Sequence, residues 1–121
     1  MMAWGTGAQL AERPDPACAP AAAEAACREA LIESFDGLEL ADRNLLRFRY
    51  FHRLTVEQLA EMFCIRRAAL VRQLARIRER LLRETRRGLA ARLPADRREL
   101  DRLIGVVRDR FELAVARILR R

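Results

Sequence analysis

Lysine is missing from this chain: its 24 basic side chains are all arginine, set against 17 Asp and Glu for a formal net charge of +7. Histidine occurs once, at His52, and the three cysteines (Cys18, Cys27 and Cys64) show no CxxC spacing. A zinc site generally needs four ligands, so this scarcity excludes a structural zinc module and reads as reduced, unligated thiols. No apolar stretch approaches the roughly 20 residues of a membrane span. The N-terminus, MMAWGTGAQLAERPDPACAP, has neither the charged start nor the apolar core of a secretion signal, which points to the cytoplasm. There is no phosphate-binding glycine loop and no nucleophile motif. Glu57 and Glu61, four residues apart, read as a solvated helix edge rather than a catalytic pair. Neither enzymatic activity nor a cofactor is expected.

What is present is helical and basic. The chain is 51% hydrophobic but only 6% aromatic, rich in Ala, Leu, Arg and Glu and poor in β-branched clusters. At 121 residues this composition predicts one all-α domain. The charge is concentrated: from Arg66 to Arg87 there are nine arginines and two carboxylates, Glu79 and Glu84, so this stretch carries +7. The other 99 residues balance 15 arginines against 15 acids. Charge so localised suits docking to a polyanion.

Periodicity and punctuation divide the chain. Residues 1–17, rich in Gly, Pro and Ala, predict a disordered lead-in. A first helix is expected from Pro20 to about Phe35, ended by an Asp36-Gly37 turn. A second is expected over Ala41–Phe51, with Leu45, Leu46, Phe48 and Tyr50 buried on two sides. A third begins at Thr55, where Thr55 and Gln58 form a capping box and Leu54 and Leu59 a hydrophobic staple. A fourth runs from about Arg66 towards Ala91, with Leu70, Leu74, Ile77 and Leu81 on one face. Gly88 is expected to end or loosen it, and Leu93-Pro94 to close it. A last helix, residues 96–120, starts at a second capping box, Asp96 with Glu99. Leu100, Leu103, Ile104, Val107, Phe111, Ala114 and Ile118 then keep helical spacing without a break. The expected units are therefore a tail over 1–17, a core domain over 18–93 and an amphipathic helix over 94–121, packed on that core or on a partner.

Residues 54–77, LTVEQLAEMFCIRRAALVRQLARI, meet the demands of two helices crossing at a tight turn. Ala60 is small where the backbones approach, and Ile65 is the apolar residue after the turn. Leu70 and Leu74 anchor the second helix, Leu59 and Phe63 complete the inner face, and Cys64 is expected inside the core pattern. The position beside the turn usually takes Gly for a left-handed backbone, and here it is Cys64.

With these residues the chain resembles region 4 of the sigma-70 family, the transcription initiation subunits of bacterial RNA polymerase. The resemblance covers residues 31–87. It rests on Leu38, Asp42-Arg43-Asn44-Leu45-Leu46, Leu54-Thr55-Val56-Glu57-Gln58-Leu59-Ala60, Ile65-Arg66-Arg67, Leu70 with Leu74-Ala75-Arg76, and Arg80-x-Leu82. Residues 96–120 are similar to an extension that follows region 4 in one sigma-70-like subfamily. Arg53 stands where Gly commonly precedes Leu-Thr, and Arg66 stands where Ser or Thr commonly caps the recognition helix. No segment resembles region 2 of that family, which leaves a standalone region 4 or the C-terminal half of a longer factor.

The resemblance implies a helix-turn-helix core of three to four helices plus a long C-terminal amphipathic helix. Its recognition helix, from about Arg66, would enter the major groove of double-stranded promoter DNA at a −35-type element. Arg66, Arg67, Ala69, Val71, Arg72 and Arg76 are the expected readers, with Thr55 at a phosphate. Arg78, Arg80, Arg83, Arg86 and Arg87 are assigned to phosphates or solvent. By family, the RNA polymerase β flap and an anti-sigma factor are further partners. The alternatives from another class are a helical protein-interaction module that pairs through residues 96–120 with a partner or a second copy and has no specific DNA target, and a decoy that occupies an anti-sigma factor or the flap and leaves DNA alone.

Overall fold

The computed structural model describes residues 20–121. The expected lead-in over residues 1–17 and Cys18 lie outside the described residues. The described chain is all-helical: α1 (Pro20–Asp36), α2 (Leu40–Leu46), α3 (Val56–Phe63), α4 (Arg67–Arg92), α5 (Arg97–Asp109) and α6 (Phe111–Leu119). A π-helical turn, Arg47–Phe51, extends α2. Among the described residues no helix is long and apolar enough to cross a membrane.

α4 is the axis of the molecule, with α1, α3 and α5 packed on it. The α1–α4 pair is close because small residues meet there. A Cβ built on Gly88 would lie 2.9 Å from Ala30 Cβ, so the absence of a side chain at 88 is what admits α1. Gly88 therefore neither ends nor loosens α4, which continues to Arg92. The requirement is steric and comes from another helix, so spacing along α4 alone carries no trace of it. Beside this contact Thr85, fully buried, donates to Ser34 Oγ at 3.4 Å, and Ser34 in turn donates to the Ala30 carbonyl at 2.8 Å. Leu93, buried and extended before Pro94, then stops the helix.

The C-terminal segment departs from expectation. In place of one helix over 96–120 there are two, separated at Arg110 (φ −118°, ψ 31°). The two halves face different neighbours. α5 packs on α4, whereas α6 turns to the π-helical segment, where Phe111 meets Tyr50 edge-on at 6.1 Å. One residue with altered dihedrals leaves the apolar period almost in phase, so the sequence shows no break. The buried stripe is Leu100, Leu103, Ile104, Val107, Phe111, Val115 and Ile118, with Val115 taking the inner place expected of half-buried Ala114. Asp96 caps α5 by accepting from the Glu99 amide at 2.8 Å, while the Glu99 carboxylate turns outward to Arg102.

Candidate nucleic-acid interface

The local chemistry of α3 starts at its cap. Thr55 Oγ1 accepts from the Gln58 amide at 3.0 Å, and Gln58 Oε1 accepts from the Thr55 amide at 2.8 Å. This reciprocal pair satisfies two of the amides that a helix start leaves unbonded. Thr55 is exposed, and so are the remaining first-turn positions except half-buried Val56.

α3 ends after eight residues in a Schellman arrangement. The Ile65 amide donates to the Ala60 carbonyl at 3.0 Å and the Cys64 amide to the Glu61 carbonyl at 3.2 Å. Cys64 closes the turn with a left-handed backbone, φ 56° and ψ 44°. Its thiol is exposed, not part of the core, because the left-handed residue marks the end of the buried helix face. Two other core expectations fail here for the same reason. Phe63, the last residue of α3, projects a turn beyond buried Leu59 and Ala60. It is 44% exposed, touching Phe48 edge-on at 6.0 Å. Ile65 sits on the turn itself and is 38% exposed.

Arg66 then occupies the N-cap of α4 in extended conformation, with no side-chain capping bond. Its guanidinium is exposed, as is that of Arg67. Arg67 is not open-handed, however: its Nε donates to Glu57 Oε2 at 2.7 Å across the turn. That hydrogen bond is the main reason the Glu57 carboxyl lies below its ordinary range. The pair is solvent-exposed, so salt screens it and a competing phosphate meets little resistance.

Successive helical residues rotate by about 100°, which sorts the expected readers into two surfaces. Arg72 and Arg76 share the exposed face opposite buried Leu70, with half-buried Ala69 at its edge. Arg67 and Val71 share a flank beside α3 and do not join them. The solvent face continues where sequence reasoning stopped. Arg72, Arg76, Arg80, Arg83 and Arg87 follow one another at spacings of four, four, three and four residues, a line about 22 Å long at 1.5 Å per residue. All five are exposed. Among the described residues, Arg72, Arg76, Arg80 and Arg83 make no ion pair, and Arg87 reaches Glu84 at 3.3 Å. The spacing is in the sequence, hidden there by the arginines that leave the line. Arg78 lies over the Phe111 ring at 5.8 Å, and Arg86 bonds Asp101 at 3.0 Å. Glu79 leaves it too. Arg108 grips this carboxylate through two bonds, of 2.6 and 3.1 Å, and so holds it below the usual carboxylate range.

A second left-handed residue precedes α3. Arg53, with φ 60°, joins the π-helical turn to Thr55. The link is fixed by the Leu54 amide donating to the Phe48 carbonyl at 3.0 Å and by Arg49 Nη1 donating to the Leu54 carbonyl at 3.3 Å. Arg53 and Cys64 are the only non-glycine residues of positive φ among those described. No family model, curated protein or solved structure matches the chain in comparisons with known proteins.

Proposed function

We propose that this protein is a DNA-binding transcription factor of the sigma-70 region 4 kind, in which α3 and α4 form a helix-turn-helix. α4 enters the major groove of a −35-type promoter element. One observation carries the DNA reading: the helix that follows the tight turn presents five arginines in a single line, four of them without an ion pair among the described residues. Guanidinium groups suit both guanine edges and phosphates. Arg72 and Arg76, nearest the turn on that line, are the base readers. Arg80, Arg83 and Arg87 follow the phosphates as the groove curves away from a straight helix. Arg67, released from Glu57, joins them on the backbone, and the exposed start of α3 at Thr55 meets a phosphate.

The register of the family resemblance has support of its own. Region 4 commonly has glycine before Leu-Thr, and a tight turn between two helices usually takes glycine beside it; those two positions here, Arg53 and Cys64, have left-handed backbone. The rival reading, pairing through residues 96–120, has less support, because most of that apolar stripe is buried within the chain itself and only Val106 and Leu113 stand exposed beside it. Docking on the polymerase β flap and capture by an anti-sigma factor belong to the same proposal by resemblance.

Selection of a randomised duplex pool on the full chain, followed by anisotropy titrations across a salt series, tests it. A short recovered motif is expected, with a log–log salt slope of about 0.9 per phosphate contacted. Arg72→Ala and Arg76→Ala should each cost about 1–3 kcal/mol and relax the motif. Arg86→Ala, removing a guanidinium committed to Asp101, should leave it intact. Motif-free binding that none of these changes alters would defeat the reading.

A further inference from the structure

The break at Arg110 opens a cleft on the side of the molecule bounded by α1, α5 and α6. It has a volume of about 650 Å³. Leu31, Leu103, Val107 and Ile118 give it an apolar floor, and Val106 and Leu113 stand on its walls 48% and 46% exposed. Half-buried Cys27 belongs to the floor as a neutral thiol, since burial pushes it up from its ordinary range. Around this apolar interior are Arg28, Arg102, Arg110 and Arg117, against one carboxylate, Glu24. Arg102 is held by Glu99, while Arg28, Arg110 and Arg117 make no ion pair among the described residues.

We propose that this cleft docks an acidic amphipathic helix of a partner protein. A helix laid into such a cleft buries one apolar stripe at i, i+3, i+4 and i+7 spacing, which Val106, Leu113 and the floor accommodate. Its acidic flanks meet the arginine rim, and opposite potentials speed encounter and reject wrong partners. The same rim argues against a second copy of this chain, because four arginines would then face four. The acidic side of α1 is not a free insert: Glu29 and Glu33 pair with Arg92, and Asp36 with Arg121. Residues 1–19 carry Glu12 and Asp15 against Arg13, too little negative charge to complement the rim. A bilayer, being flat, meets the rim but does not reach the floor.

The test is a displayed library of amphipathic helices, with the apolar face fixed and the flanks randomised over acidic, basic and neutral residues, panned on the full-length protein. Enriched helices should be acidic and bind about tenfold more weakly, or worse, to Leu113→Glu and Arg110→Glu. Both sites are exposed, so circular dichroism melts should stay unchanged. Arg72→Ala and Arg76→Ala should not alter this binding, which separates the cleft from the arginine line of α4. Enrichment of basic or neutral helices, no enrichment, or loss with Arg72 and Arg76 instead would overturn the proposal. So would three other occupants. Peptide binding that appears only after removal of residues 1–19 would indicate the chain's own N-terminal segment. A sedimenting dimer abolished by Leu113→Glu would indicate a second copy, and flotation with phosphatidylglycerol vesicles lost in the same variant would indicate a lipid surface.

Discussion

From Arg67 to Glu79, α4 buries only Leu70 and Ile77, and its outward arginines at 72 and 76 have no carboxylate partner among the described residues. From Arg80 to Arg92 the same helix buries Leu81, Leu82, Thr85 and Leu89, each 2% exposed or less. Three of its five arginines there are committed, Arg86 to Asp101, Arg87 to Glu84, and Arg92 to Glu29 and Glu33, while Arg80 and Arg83 continue the unpaired line. One continuous element thus has an anchored half and a presenting half. The anchored half gives the helix its direction, since a 26-residue helix holds its line when one end is packed. In the presenting half Arg72 and Arg76 keep their guanidinium groups available because no carboxylate among the described residues pairs with them, while Arg67 holds Glu57.

The contrast can be broken most severely from the anchored side. Leu81→Ala should lose about 2–5 kcal/mol in urea unfolding, whereas Val71→Ala in the presenting half should change stability by less than about 0.5 kcal/mol. Next in size is Gly88→Val, which drives a branched side chain into Ala30. It should cost about 1–3 kcal/mol and lower the melting temperature, with DNA affinity falling only as folded protein is lost. Thr55→Ala removes a cap at the presenting end and should cost roughly 1 kcal/mol, with Thr55→Ser restoring most of it in the same assay. The smallest effect is a gain. Cys64→Gly relieves a left-handed β-carbon strain of about 1–2 kcal/mol and adds unfolded-chain entropy of about 0.5–1 kcal/mol, for a net gain between zero and about 1.5 kcal/mol by thermal melting.

Features determined within one turn of chain were legible in the sequence. The Thr55–Gln58 box depends on a neighbour three residues away, and the stop at Leu93-Pro94 on the very next residue. Features determined by a distant partner were not. Gly88 looks like a helix breaker until Ala30 is placed against it. Phe63 and Cys64 look like core residues until the length of α3 is known, and no periodicity records the turn at Arg110. The candidate interface divides the same way. The charge concentration on α4 was evident, but which arginines stay unpaired depends on Asp101, Glu57 and Phe111, all outside that helix.

The line of guanidinium groups along α4 has a consequence for control. Arginine stays protonated throughout any physiological pH range, and it offers no amine for acetylation. The charge on this face is therefore constant, neither titrated away nor capped by acyl transfer. Methylation would spare the charge and blunt only the paired hydrogen bonds. What remains to weaken the face is ionic strength, or a competing polyanion laid over it, so its occupancy is set by the composition of its surroundings rather than by the protonation state of its own side chains.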